Sequence, residues 1–244
     1  MNERENLAKL PTLKAEFAPL RQKIIAALRR AIEMGVLKPG ERLIEKDLCT
    51  QLNVSRTCLR EALRELEAQR VIANSAVRGL MVTPITTEDA INIYRVRAEL
   101  EALIAEQFIE RADAADLKAF RDAAAGLNRA YLSQNLETIL DAKKVYYDAF
   151  CAGAGNAVVF DLLMTLHLRT SQLRAASISR DERKSQSIAE VDALLAAITA
   201  GDVAAARAAA RCHVENAARS SFTATGRAAN MGGGPARRLA GSRV

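Results

Sequence analysis

The sequence predicts a mainly α protein: an N-terminal winged helix-turn-helix followed by an all-α helical bundle. Three observations lead there. The segment Val54–Leu66 keeps its leucines on one side of a helix and its arginines on the other. It sits between a short helix and two short strand-like runs. Past Thr83-Pro84 glycine and proline become scarce, alanine and leucine become abundant, and strand alternation disappears.

Leu20 to Met34 reads as an amphipathic helix, with Leu20, Ile24, Ala27, Leu28 and Ala31 on one side. Gly35 ends it, and Lys38-Pro39-Gly40 makes a turn. Glu45 to Leu52 is a second short helix with Leu48 and Leu52 facing inward, and Asn53-Val54 makes a tight connection. Ser55 is a good N-cap, because its hydroxyl accepts a bond from a free N–H of the first turn. Leu59, Leu63 and Leu66 then repeat at helical spacing and form a core stripe. Arg56, Arg60 and Arg64 recur every four residues and project from one face. A guanidinium is a rigid fork of donors that suits phosphate oxygens and the O6/N7 edge of guanine. Two short helices joined by a tight turn place the second in a major groove of DNA. Arg70 to Asn74 and Leu80 to Thr83 read as two strands, and the tip Ser75–Gly79 carries Arg78 within reach of a minor groove or a phosphate. An arginine- and glutamate-rich helix alone would be an ordinary solvated face; the turn, cap and wing together favour DNA. Arg64 pairs equally well with Glu61 or Glu67, and Glu61 and Glu65 suit surface ion pairs.

The second part reads as about six helices: Thr87 to Ala112, Ala114 to Leu132, Leu136 to Ala152, Ala157 to about Ser177, Asp181 to Ala200, and Val203 to about Arg219. The first has an apolar stripe of Ile93, Val96, Leu100, Leu103, Ile104 and Phe108, with Thr87 as a plausible cap. Gly153–Asn156 stops the third, and Asp202 caps the last. Short connections favour a bundle, and about 130 residues suffice to bury a core.

Charge divides the chain in the same way. Residues 1–85 hold 15 Lys/Arg against 10 Asp/Glu, residues 86–218 hold 15 against 19, and residues 219–244 hold 5 against none. The basic character lies in the expected DNA reader and in the tail, so DNA affinity should be sensitive to salt. No segment approaches twenty consecutive apolar residues, and Met1–Lys9 lacks a signal core. The expected location is the cytoplasm, away from membranes. Cys49, Cys58, Cys151 and Cys212 show no Cys-x-x-Cys pairing and are expected as free thiols. Residues 1–15 and 220–244 are expected to be flexible, the latter for its Gly232-Gly233-Gly234-Pro235 run and lack of apolar periodicity. The domains are thus 16–85 for the winged helix-turn-helix and 86–219 for the bundle. Enzymatic chemistry finds little support. There are two histidines, no Glu-x-x-His pair, no nucleophile elbow and no glycine-rich phosphate loop.

The run from Ile24 to Val82 resembles the winged-helix domain of GntR-type bacterial regulators. The residues that carry this are Gly35–Leu43, Val54-Ser55-Arg56-Thr57, Arg60–Glu67 and Arg78-Gly79. Family members usually have proline where Cys58 sits and glycine where Arg70 sits. The resemblance implies DNA contacts at Lys46, Ser55, Arg56, Thr57, Arg60, Arg78 and Gly79. Thr86 to about Arg219 resembles the FCD ligand-binding domain of the FadR branch, through Tyr94–Glu101, Gly155-Asn156, Ala189-Glu190, Leu194–Ile198, Gly201-Asp202 and His213.

Many FCD domains hold a divalent metal with one aspartate and three histidines. At the matching positions this chain has Lys143, Tyr147, Val191 and His213, and ammonium, phenol and isopropyl groups cannot rebuild such a shell. No metal and no cofactor is therefore expected. The lost shell suggests instead an anion cluster of Arg97, Lys143, Tyr147 and His213, with Arg169 and Arg174 as further candidates; the bland alternative is that Lys143 is a surface lysine. His167 reads as structural. The expectation is a homodimeric, DNA-binding transcriptional repressor that reads a short palindrome in double-stranded DNA and answers to a small-molecule carboxylate effector. The alternatives are a metal site of unexpected ligands, or an effector-free architectural DNA-binding protein.

Overall fold

The computed structural model describes residues 18–178 and 180–226; the N-terminal expectation for residues 1–15 and the tail beyond 226 lie outside these. The chain divides into two compact units at Pro84/Ile85.

The first unit contains α1 (Ala18–Glu33), α2 (Glu45–Leu52), α3 (Arg56–Ala68), β1 (Ile72–Ser75) and β2 (Gly79–Val82). The inward face of α1 is Ile24, Ile25, Leu28 and Ile32. That is a rotation from the expected stripe: Leu20 and Ala27 are exposed, because the face is chosen by what α3 offers across the contact. Leu59, Leu63 and Leu66 of α3 are buried as their spacing demands. β1 and β2 pair antiparallel from Ile72↔Val82 to Ser75↔Gly79, so the first strand starts two residues later than expected.

The delay has a local cause. At the end of α3 the Arg70 N–H donates to the Glu67 carbonyl (2.8 Å) and the Val71 N–H to the Leu66 carbonyl (2.9 Å). This double closure needs a left-handed residue, and Arg70 has φ of 57°. Glycine usually fills that position, as it does in the family the sequence resembles. The Cβ strain of Arg70 is accepted to turn the chain into the wing.

The second unit contains α4 (Thr87–Arg111), α5 (Ala114–Leu132), α6 (Leu136–Ala154), α7 (Ala157–Arg169), α8 (Ser171–Ile178), α9 (Asp181–Thr199) and α10 (Val203–Ala224). α4 packs along α10 and also meets α6 and α7; α5 packs on α6 and α9, and α8 lies on α10. Thr86, not Thr87, caps α4, with its hydroxyl accepting from the Asp89 N–H at 3.0 Å. Asp113 and Asp116 form a reciprocal capping box on α5, and Asn135, Asn156 and Asp202 cap α6, α7 and α10. The core holds a cluster of rings: Phe120 stacks on Phe150 at 4.9 Å, with Phe108 and Tyr146 against them. Gly153 is forced by that cluster, since a Cβ there would overlap the Phe108 ring.

Three expectations need correction. The fourth helix of the bundle is two helices, so the described unit has seven. Thr170 carries the break, with its hydroxyl donating back to the Leu166 carbonyl at 3.0 Å and so competing with the backbone ladder. Val96 is exposed and does not belong to the core stripe. Residues 220–224 belong to α10 and not to a tail. There Phe222 is fully buried and meets Tyr94 edge-on at 6.0 Å, while the Ser221 and Tyr94 hydroxyls lie 2.8 Å apart. Among the described residues no helix is long and apolar enough to cross a membrane.

Arg70→Gly is expected to stabilise the first unit by about 1 kcal/mol by relieving the left-handed strain. Denaturant unfolding of the full chain checks it, and a loss of stability would mean that the Arg70 side chain contributes more than its backbone costs.

Candidate functional site

Two sites emerge, one in each unit. In the first, Ser55 caps α3 in extended conformation and its hydroxyl accepts from the Cys58 N–H at 3.3 Å. A proline at 58 could not donate this bond, so Cys58 adds a cap interaction at the helix start. Its thiol is buried and free, as are the other three cysteines free. With Cys58, Leu59, Ala62, Leu63 and Leu66 turned inward, the first turn presents Ser55, Arg56 and Thr57 to solvent, and Arg60 and Arg64 continue the exposed face. Lys46 on α2 is also exposed.

Arg60 is not idle in this face. Its Nε donates to both oxygens of Glu45 at the start of α2, at 2.9 and 3.2 Å. Glu45 therefore aims the guanidinium and also competes for it. Arg64 lies 3.7 Å from Glu61, one of the surface partners anticipated for it. At the wing tip the Ser75 hydroxyl accepts from the Val77 and Arg78 N–H groups. Gly79 closes the turn with φ of +70°, and Arg78 is exposed. Such a surface of forked cations on a capped helix, with a second cation on a tight hairpin, can bind phosphates and read base edges.

The second site is a polar cluster inside the helical unit. A cavity of about 20 Å³ is lined in part by Arg97, Lys143, Arg174, Arg183 and His213. Arg97, Lys143 and His213 were singled out from the sequence, and the fold brings them together. Arg174 joins them from α8. Arg169 does not line the cavity; it is half-buried at the end of α7, one residue before the break that redirects the chain. Tyr147 stands behind the wall and donates to Glu101 at 3.2 Å. Lys143 is buried, unlike its neighbour Lys144, which pairs with Asp148 on the surface.

Two carboxylates, Glu101 buried and Glu190 half-buried, organise the cluster. Glu101 accepts from Arg97 at 2.8 Å and has the His167 Nε2 at 3.5 Å. Burial alone would raise the Glu101 carboxyl, but the Arg97 charge and His167 hold it well below its ordinary value. Glu190 accepts both Nη groups of Arg183, at 2.9 and 2.7 Å, has His213 Nδ1 at 2.7 Å and accepts from Asn216 at 2.5 Å. Against the cost of burial, His213 and Arg183 hold the Glu190 carboxyl at about 2. Burial, together with nearby cations, lowers His167 and His213, so both rings favour the neutral form. Lys143 has no such anchor. Burial and the charges of Arg174, Arg183 and Arg97 push its ammonium well below the ordinary lysine value, and its Nζ lies 5.6 Å from the centre of the Tyr131 ring.

The donor set does not suit a divalent cation. Lys143 brings a positive charge, Val191 brings none, and His213 Nδ1 is taken by Glu190. Among the described residues no group of three or more His, Cys, Asp or Glu is arranged to hold a metal ion.

Sequence reasoning missed Arg183 and the organising roles of Glu101 and Glu190. A signal for Arg183 existed. It precedes Glu190 by seven residues, two helical turns on one face.

Residues 92–216 match the FCD domain model and residues 20–82 match the model of bacterial regulatory proteins of the gntR family. The chain belongs to the GntR family and carries an FCD domain. It is 38% identical over 90 residues to the HTH-type transcriptional regulator YdhC of Bacillus subtilis (strain 168), covering 37% of this chain and 40% of that one. It is 25% identical over 158 residues to the HTH-type transcriptional regulator McbR of Escherichia coli (strain K12), covering 65% of this chain and 72% of that one. Among solved structures, E. coli McbR/YncC has a TM-score of 0.74 at 22% identity, over 84% of this chain and 97% of that chain. A GntR regulator from Rhodococcus sp. RHA1 has 0.71 at 22% identity, over 84% and 99%. These relatives are regulators, and the likeness to the two structures is one of fold.

The Lys143 environment gives a test with a defined sign. Its folded value is depressed, so the unfolded chain binds more protons between that value and about 10.4, the ordinary lysine value. Stability therefore rises with pH through this window, and the penalty is full below it. Lys143→Met is expected to remove the penalty, stabilising the protein at pH 7 by roughly 1–4 kcal/mol and flattening the alkaline rise. Melting curves from pH 6 to 10 check this; an unchanged midpoint would show that the ammonium is already compensated.

Proposed function

We propose that this chain is a sequence-specific DNA-binding transcriptional regulator, acting as a repressor and controlled by a small anionic effector, a carboxylate, in its FCD domain. The observation that carries the DNA reading is the exposed Ser55-Arg56-Thr57 turn at the start of a helix whose entire apolar side is buried. Family membership supports it. In this reading Arg56 and Arg60 contact bases or backbone phosphates, Ser55, Thr57 and Lys46 hold the register, and Arg78 and Gly79 bring the wing to the duplex.

The protein works in the cytoplasm as a homodimer on a short palindrome of double-stranded DNA, since paired recognition helices one turn apart require paired half-sites. Arg97, Lys143 and His213 hold the effector, with Tyr147 fixing the wall through Glu101. The cavity in its present state has room for about one water. An effector must therefore be admitted by movement of a wall, and that movement is the physical link to DNA. Only a ligand that binds the DNA-competent and DNA-released arrangements unequally shifts their balance.

The Arg56→Ala/Arg60→Ala double variant is expected to lose at least roughly 5- to 150-fold in operator affinity, taking about 1–3 kcal/mol for one bidentate base contact. Fluorescence anisotropy on the DNA flanking its own gene measures it. Unchanged affinity and sequence preference would remove α3 from the DNA interface.

A further inference from the structure

We propose that the bundle cavity takes a small dianion, and that protein cations alone hold it. This rests on the effector reading above and names the chemical class of the ligand. Four cationic side chains line the cavity: Arg97, Lys143, Arg174 and Arg183. Two carboxylates answer them, Glu101 to Arg97 and Glu190 to Arg183. Among the described residues no carboxylate lies within ion-pair distance of Lys143 or Arg174. The protein thus brings two cations to one cavity, Lys143 buried and Arg174 half-buried, and no described carboxylate pairs with either.

A buried cation without a partner is costly. Lys143 answers that cost by losing affinity for its proton; a bound anion would restore it. A single negative charge satisfies one of the two cations, two charges satisfy both, and a divalent metal ion adds to the excess. The hydrogen-bonding capacity agrees. Arg97 is 1% exposed, and its Nε and one Nη have no partner. Ser177 and Ser187 line the same cavity. The complement is a compact group rich in acceptor oxygens, either a dicarboxylate or a phosphate monoester. Arg174 and Ser177 reach the cavity from α8, the short helix set off from α7 by the Thr170 break. Displacing this one wall would make room for the ligand.

The test uses the full chain at pH 7.5 with EDTA present. Malonate and methyl phosphate are compared with acetate and dimethyl phosphate, their singly charged counterparts, by thermal melting and titration calorimetry, alongside release of operator DNA. The dianions are expected to bind at least about tenfold more tightly than the monoanions, and the preferred member of the first pair identifies carboxylate or phosphate. In Lys143→Met and in Arg174→Gln the dianion preference should shrink to about twofold or less, a ratio that a merely structural role would leave alone. Equal binding of acetate and malonate would overturn the dianion and leave the effector reading in place. Release of the operator by a neutral molecule, with no anion bound, would do the same. If no anion and no neutral molecule changes melting or DNA release, both readings fall. Binding that is lost in EDTA and restored by zinc would overturn the metal-free part.

Discussion

Two carboxylates govern the interior of the helical unit. Glu101 on α4 is buried and Glu190 on α9 half-buried, both among cations, and each is held ionised by an arginine and a nearby histidine. Their presence lets Arg97 and Arg183 enter a region that would otherwise reject them, because a buried charge is tolerated only with a partner and hydrogen bonds. Once both arginines are in place, the remaining cations feel them. The Lys143 ammonium is destabilised by burial and then by its neighbours, so the cavity is both organised and electrostatically unsatisfied. That combination suits a binding site better than a core. A purely apolar filling of similar volume would have been the more stable choice.

The winged unit is built on a different logic. Its apolar stripe closes inward so completely that the first turn of α3 has nothing to do but face solvent. The two departures from the usual family residues are both intelligible there. Cys58 keeps a backbone N–H that proline lacks and gives it to Ser55. Arg70 adopts the left-handed turn that glycine would adopt more cheaply. The Glu45–Arg60 pair has one arm on each helix of the motif, so the direction of the Arg60 guanidinium couples to the spacing of α2 and α3. Solvent-exposed as it is, this pair is a matter of aim more than of stability.

Most element positions were legible because they depend on short-range patterns. Leucines at 59, 63 and 66, the Ser55 cap and the Asp202 cap each report a rule that acts within one or two turns, whereas the helix expected to stop at Gly153 runs on to Ala154. The errors arose where a distant partner decided. Val96 fits the stripe of α4 by spacing, yet it is exposed, because the buried face of that helix is shared with Arg97 and Glu101. Residues 220–224 look like the start of a polar tail, yet Tyr94, far away in sequence, buries Phe222. The break at Thr170 is the local exception: one hydroxyl finds the carbonyl four residues back, a choice that composition does not reveal.

By itself, the sequence determined the winged helix-turn-helix followed by an all-helical unit, the cap and apolar stripe of α3, and the side-chain types that stand at 143, 147, 191 and 213. Those follow from periodicity, capping chemistry and side-chain type, which are properties of neighbours along the chain. Only the tertiary structure decided which cations meet, that Arg174 and Arg183 complete the cavity while Arg169 does not, and that Lys143 is buried without a carboxylate. These depend on how α4, α6, α8, α9 and α10 come together. Charges from five helices add as the inverse of their separation in space, and separation along the chain says little about that.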